Sequence, residues 1–124
     1  MGSPTSRTLE LLWREGFVAC VVEKWIPQAR KRVDAFGFGD ILACQSGRRA
    51  SHYVGIWLIQ CTSGDNHASR VKKIVETPAA EEWRAAGGRI AVVSWSKRGG
   101  RGERKLWQPR WEEVVLGAAA SVVK

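Results

Sequence analysis

Two kinds of hydrophobic pattern divide this chain into elements. In residues 6–15 (SRTLELLWRE), Leu9, Leu12 and Trp13 recur at helical spacing, which predicts an amphipathic helix. Ser3 or Thr5 can cap its start, and Gly16 can end it in a left-handed conformation. Residues 17–23 (FVACVVE) and 53–62 (YVGIWLIQCT) are instead apolar almost throughout, with polar residues only at their ends. Such runs predict strands covered on both faces. Between them, residues 25–39 carry Pro27, Gly37 and Gly39 and predict a loop, residues 40–44 (DILAC) a short strand, and residues 45–52 (QSGRRASH) a turn.

The second half reads in the same way. SGDN (63–66) offers capping side chains for a helix over about 66–76. In TPAAEEWRAAGG (77–88), Thr77 is the cap, Pro78 the first helical residue and Gly87 the stop. RIAVVSW (89–95) predicts a strand, SKRGGRGERK (96–105) a flexible basic turn, and LWQPRWEEV (106–114) a strand running into a terminal segment. The order α-β-β-β-α-β-β implies an α/β domain with a mixed central sheet flanked by helices. At 124 residues the chain fits one domain, 1–124, able to bury a core without staples.

Composition changes this picture in three places. Twenty Lys and Arg against twelve Asp and Glu give a net charge of +8, large for this size. The cations cluster as Arg30, Lys31 and Arg32, as Arg70, Lys72 and Lys73, and as Lys97, Arg98, Arg101, Arg104 and Lys105. A clustered basic surface suits a phosphate backbone, and a Gly-rich basic arm can follow one without reading bases. No run is long enough to span a bilayer and no signal peptide is evident, so a soluble, cytoplasmic protein without membrane partners is expected. Cys20, Cys44 and Cys61 are scattered in apolar stretches, which predicts free buried thiols rather than a zinc site.

The candidate chemistry lies in GFGDILAC and WLIQCTSG. Asp40 opens one strand, and Gln60 interrupts the most apolar strand. Thr62, two residues on, emerges on the same face as Gln60. If the two strands form a hairpin, Asp40 and Gln60 converge at one end of the sheet, and an oxygen-rich cluster there suits a hard cation such as Mg²⁺. Glu23 ends the first strand, at that same end, and Asp34 lies in the loop before Asp40. Asp34 is either a further ligand or the ion-pair partner of a neighbouring Arg. Trp57, Trp83 and Trp95 are expected in the core, and His67 on a helix surface. Trp25, Trp107 and Trp111 lie beside basic loops, where packing competes with stacking on unpaired bases.

Over residues 5–115 this arrangement resembles the PD-(D/E)XK nuclease superfamily, and within it the small archaeal-type and phage Holliday junction resolvases. The likeness rests on Glu15-Gly16-Phe17 after the first helix, the basic loop, Gly39-Asp40-Ile41-Leu42-Ala43, and Ala86-Gly87-Gly88-Arg89-Ile90 entering a later strand. Gln60-Cys61-Thr62 takes the place of the family's E-x-K. The resemblance implies a restriction-endonuclease-like fold with an α-β-β-β-α-β core. It also implies a Mg²⁺-dependent homodimeric endonuclease, with Mn²⁺ as a substitute ion, that acts on branched DNA in recombination. By that likeness Asp40 is the main metal ligand, Gln60 stands for the glutamate, the Cys61 carbonyl adds a ligand, and Glu23 and Asp34 supply charge. Thr62 stands for the catalytic lysine, with Lys72 or Lys73 the candidate substitute. The family's first-helix glutamate would fall near Thr5 and is absent. Two other readings compete: a DNA-binding module of the same fold with weakened catalysis, and a partner-binding protein whose charge serves solubility.

Overall fold

The computed structural model describes residues 2–49 and 52–115. Helix α1 (Pro4–Arg14) precedes strands β1 (Val18–Val21), β2 (Lys24–Ile26), β3 (Lys31–Val33), β4 (Ile41–Gln45) and β5 (Gly55–Ser63). A 3-10 turn leads into α2 (His67–Val75), which is followed by α3 (Pro78–Ala85), β6 (Arg89–Arg98) and β7 (Leu106–Glu113). The centre of the 45–52 turn and the terminal segment after Val115 lie outside the described residues. No helix among those residues is long and apolar enough to cross a membrane.

Five strands form one mixed sheet in the order β1-β4-β5-β6-β7. β5 and β6 are parallel and the other neighbours antiparallel. A parallel pair needs a crossover, and α2 and α3 supply it. Alternation along the strands then sorts side chains between two layers. Ile41, Trp57, Ile59, Val93 and Trp95 face α1 and pack on Leu12 and Phe17. Leu58, Ile90 and Val92 face the other way and pack on Ile74 and Ala80 of α2 and α3.

Local chemistry sets the helix ends. The Ser3 hydroxyl accepts from the Ser6 amide at 3.0 Å, Pro4 starts α1, and Gly16 leaves it at φ 88°. Trp83 anchors α3 by donating from its indole nitrogen to the Arg89 carbonyl at 2.9 Å. Arg89 holds Glu113 through two nitrogens, at 2.8 and 2.6 Å, and lies over the Trp57 ring. That cation is committed to the fold and not to a ligand.

Gly39 is required by its neighbour. A Cβ there would lie 2.4 Å from Cγ of Leu58, whose side chain is locked in the core. Gly39→Ala is therefore expected to cost about 1–3 kcal/mol through overpacking, measured as a lowered urea midpoint with an unchanged slope.

Three expectations are corrected. Among the described residues the first strand is an edge strand with one neighbour, and Val18 and Val21 are exposed rather than covered on both faces. Val18, Cys20, Leu42, Cys44 and Ile56 line one uncovered strip beside α2 and α3, so Cys20 and Cys44 are exposed and of the three thiols Cys61 is the buried one. The basic loop of 25–39 contains a two-stranded antiparallel hairpin, β2 with β3.

Candidate metal centre

Asp40 stands one residue before β4 and is fixed by its own backbone. Its amide donates to the Ile59 carbonyl at 2.8 Å, and its carbonyl accepts from the Val22 amide at 2.8 Å. The pairing of Ile41 with Ile59, continued one step, sets Asp40 opposite Gln60 on the face toward α2. Its Oδ2 accepts from Gln60 Nε2 at 2.9 Å and from the Cys61 amide at 2.8 Å. The strands thus converge as the hairpin pattern predicts, and Gln60 bonds to a carboxylate rather than to backbone.

Two further carboxylates complete the cluster. Lys24 pairs with Val33, so Glu23 and Asp34 flank the base of the β2–β3 hairpin. Ligand oxygens of Glu23, Asp34 and Asp40 all lie within 4.8 Å of one another. Asp34 joins Asp40 here, and among the described residues the arginine ion pair of this hairpin is instead Arg32 to Glu23, at 3.9 Å.

The electrostatics of this cluster are unfavourable to its own charge. Asp40 is 4% exposed, and burial pushes its carboxyl up to about 7. The Cys61 amide opposes that rise, while Asp34, by charge and by a hydrogen bond, and Glu23 add to it. Carboxyls this close need a proton or a cation between them. Gln60 points the same way. It is 3% exposed, and its Oε1 is buried without a hydrogen-bond partner while its Nε2 holds Asp40. An unmet buried acceptor on a side chain that is bonded to one of three clustered carboxylates fits a hard, oxygen-seeking cation.

The remaining site residues divide. Cys61 turns its thiol away, toward α1, where burial pushes it up to about 12, so it is no thiolate ligand. Its amide faces Asp40, and in an extended strand the carbonyl of the same residue faces that side too. Thr62 is buried on the Gln60 face, paired in register with Ser94. Lys72 and Lys73 are exposed in the last turn of α2, and no hydrogen bond or ion pair among the described residues joins either to the carboxylates. The cation nearest the cluster by ion pairing is Arg32.

His67 was expected on a surface and is buried. Its Nε2 lies 2.8 Å from Glu112 Oε1 and its Nδ1 2.6 Å from Ser94 Oγ. A carboxylate can only accept, so a neutral ring donates from Nε2 and accepts the Ser94 hydroxyl at Nδ1. Ser94 is buried with it, and the trio ties α2 to β6 and β7. Of the tryptophans expected in the core, Trp57 and Trp95 are buried and Trp83 half-buried.

Register brings two basic segments to the end of the sheet that carries Asp40. The hairpin with Arg30, Lys31 and Arg32 leaves β1 at Val21, which pairs with Ile41. The end of β6, with Lys97 and Arg98, and the turn after it, with Arg101, extend past Ser63, which pairs with Trp95; Ser96, Lys97 and Arg98, expected in a flexible turn, are instead paired with β7. All six cations are exposed, whereas Arg70 is half-buried on α2. No protein-family model, no curated protein and no solved structure matches the chain.

Proposed function

We propose that this chain is a divalent-metal-dependent DNA endonuclease with a restriction-endonuclease-like core, acting on branched DNA. The observation that carries the reading is the cluster of Glu23, Asp34 and Asp40 carboxylates, with Gln60, whose buried Oε1 has no partner, bonded to Asp40. These four side chains, with the Cys61 carbonyl, would hold Mg²⁺ or Mn²⁺. When bound, such an ion polarises a phosphodiester and lowers the pKa of a water beside it. The chain's own part is to fix Asp40 from two strands, to exclude water from its carboxyl, and to bring phosphates in with the hairpin and the β6–β7 arm. A two-fold homodimer would place two such sites on opposed strands, and the uncovered strip of Val18, Leu42 and Ile56 is its candidate face.

The test is cleavage of labelled four-way junction, duplex and single-stranded DNA with and without Mg²⁺. Metal-dependent cleavage of branched DNA supports the reading, and cleavage unaffected by chelator sinks it. Thr62 where a lysine belongs favours a second reading, a DNA-binding module with weakened catalysis. Salt-sensitive binding without cleavage in Mg²⁺ or Mn²⁺ would select that one. If no gel shift occurs at about 100 mM salt, where phosphate-driven binding still holds, both readings fall in favour of a protein-binding role.

A further inference from the structure

Among the seven tryptophans, all within the described residues, Trp25 alone has no hydrogen-bond, ring or cation partner. Trp13, Trp57, Trp83 and Trp95 each donate from the indole nitrogen, Trp111 packs in an aromatic cluster, and Trp107 lies under Arg7. Trp25 stands half-exposed on a hairpin of three-residue strands, so half of a large apolar ring is left in water.

Its place on that hairpin is specific. Trp25 pairs directly with Arg32. One residue pair nearer the base is Lys24 with Val33, and the next step sets Glu23 opposite Asp34. Side chains two residues apart share a face, so Trp25 and Arg32 lie on the same face as Glu23 and Asp34, about 7 Å further along the strand. The diagonal contact from Arg32 to Glu23, at 3.9 Å, agrees with that placement. A tryptophan and an arginine therefore stand as cross-strand neighbours, next to the clustered carboxylates, on an arm that also carries Lys24, Arg30 and Lys31.

The geometry points to a one-nucleotide grip: Trp25 stacks on an unpaired base while Arg32 takes its phosphate, presenting the adjoining phosphodiester to the Asp40 cluster. This rests on the nuclease reading and narrows its substrate. A perfect four-way junction has every base paired and offers Trp25 nothing to stack on. DNA with a bulged, flapped or single-stranded nucleotide does.

The full chain, with Ca²⁺ in place of Mg²⁺, is titrated with a labelled duplex, the same duplex carrying one unpaired nucleotide, and that bulge made abasic. Wild type is expected to bind the bulge more tightly than the duplex. Trp25→Ala should lose about tenfold on the bulge, the size of one base stack, and under about twofold on the duplex and the abasic bulge. Trp25→Phe should retain most of the preference. Equal loss on all three DNAs, no loss on any, or a change in sedimentation in place of binding would overturn the grip. If wild type binds bulge and duplex alike and Trp25→Ala changes nothing, the grip falls and the nuclease reading stands. If wild type binds no DNA, both fall.

Discussion

Asp40→Asn is expected to stabilise the metal-free protein and, if the chain is the nuclease proposed, to abolish its metal-dependent cleavage, two effects of opposite sign from one atom. The sequence context explains the first. Asparagine keeps an oxygen to accept from Gln60 and the Cys61 amide, and turns an NH₂ toward Asp34 and Glu23, which can only accept. It also removes a charge that burial opposes. The folded carboxyl titrates near 7 and the unfolded one near 3.8, so between those values the folded state holds a proton that the unfolded state lacks. Stability of the metal-free wild type must then fall as pH rises from about 4 to about 7 and stay low above that. The rise from 3.8 to about 7 sets a ceiling of about 4 kcal/mol. The asparagine variant should be flat across that window, and thermal melts in chelator at about pH 5 and about pH 8 would read the difference.

Cation binding at this cluster would reverse the sign. Mg²⁺ or Mn²⁺ needs the carboxylates ionised, so it should raise the melting temperature of wild type more at about pH 8 than at about pH 6. It should leave Asp40→Asn nearly unmoved. Cleavage should drop at least ~10³-fold, since the ion supplies several kcal/mol of transition-state stabilisation and each 1.4 kcal/mol is tenfold. A variant that is more stable yet still cleaves would remove Asp40 from the site while leaving the buried-charge argument intact.

How much of this was legible in the residues differs by element. The helices announced themselves through Ser3, Pro78 and the stops at Gly16 and Gly87, because capping is local chemistry, whereas Pro4 at the start of the first helix was not read from the pattern. The convergence of Asp40 and Gln60 was legible too, since an acid at a strand start and an amide in an apolar run need only a hairpin to meet. The β2–β3 hairpin was not, because KWI and KRV are too short to alternate, and Pro27 and the cations read as loop. Edge position also escaped. FVACVVE has the composition of a buried strand, yet among the described residues no second strand pairs with β1, and only tertiary packing decides that. His67 escaped for the same reason. Its partners Ser94 and Glu112 lie 27 and 45 residues away, beyond the reach of any local pattern.

Gln60→Glu with Thr62→Lys is expected to raise Mg²⁺-dependent cleavage by at least ~10²-fold, within the range that a positioned proton-transfer group contributes. Both positions are buried, face α2 and stand two residues apart on β5. Gln60→Glu alone adds a fourth carboxylate to a cluster that already repels itself. It should tighten Mn²⁺ binding and destabilise the metal-free protein. Thr62→Lys alone buries an ammonium in a site that Thr62 left neutral, and should destabilise as well. Together they place opposite charges on one face, so the double variant should be more stable than the two single losses predict, with a coupling of about 1–3 kcal/mol. Titrations of Mn²⁺, melts of all four proteins and single-turnover cleavage would resolve each step. A double variant that folds, binds Mn²⁺ and shows the coupling but cleaves no faster than wild type would mean that Gln60 and Thr62 are not what limits hydrolysis. The deficit would then lie in how the two basic arms present the phosphate to Asp40.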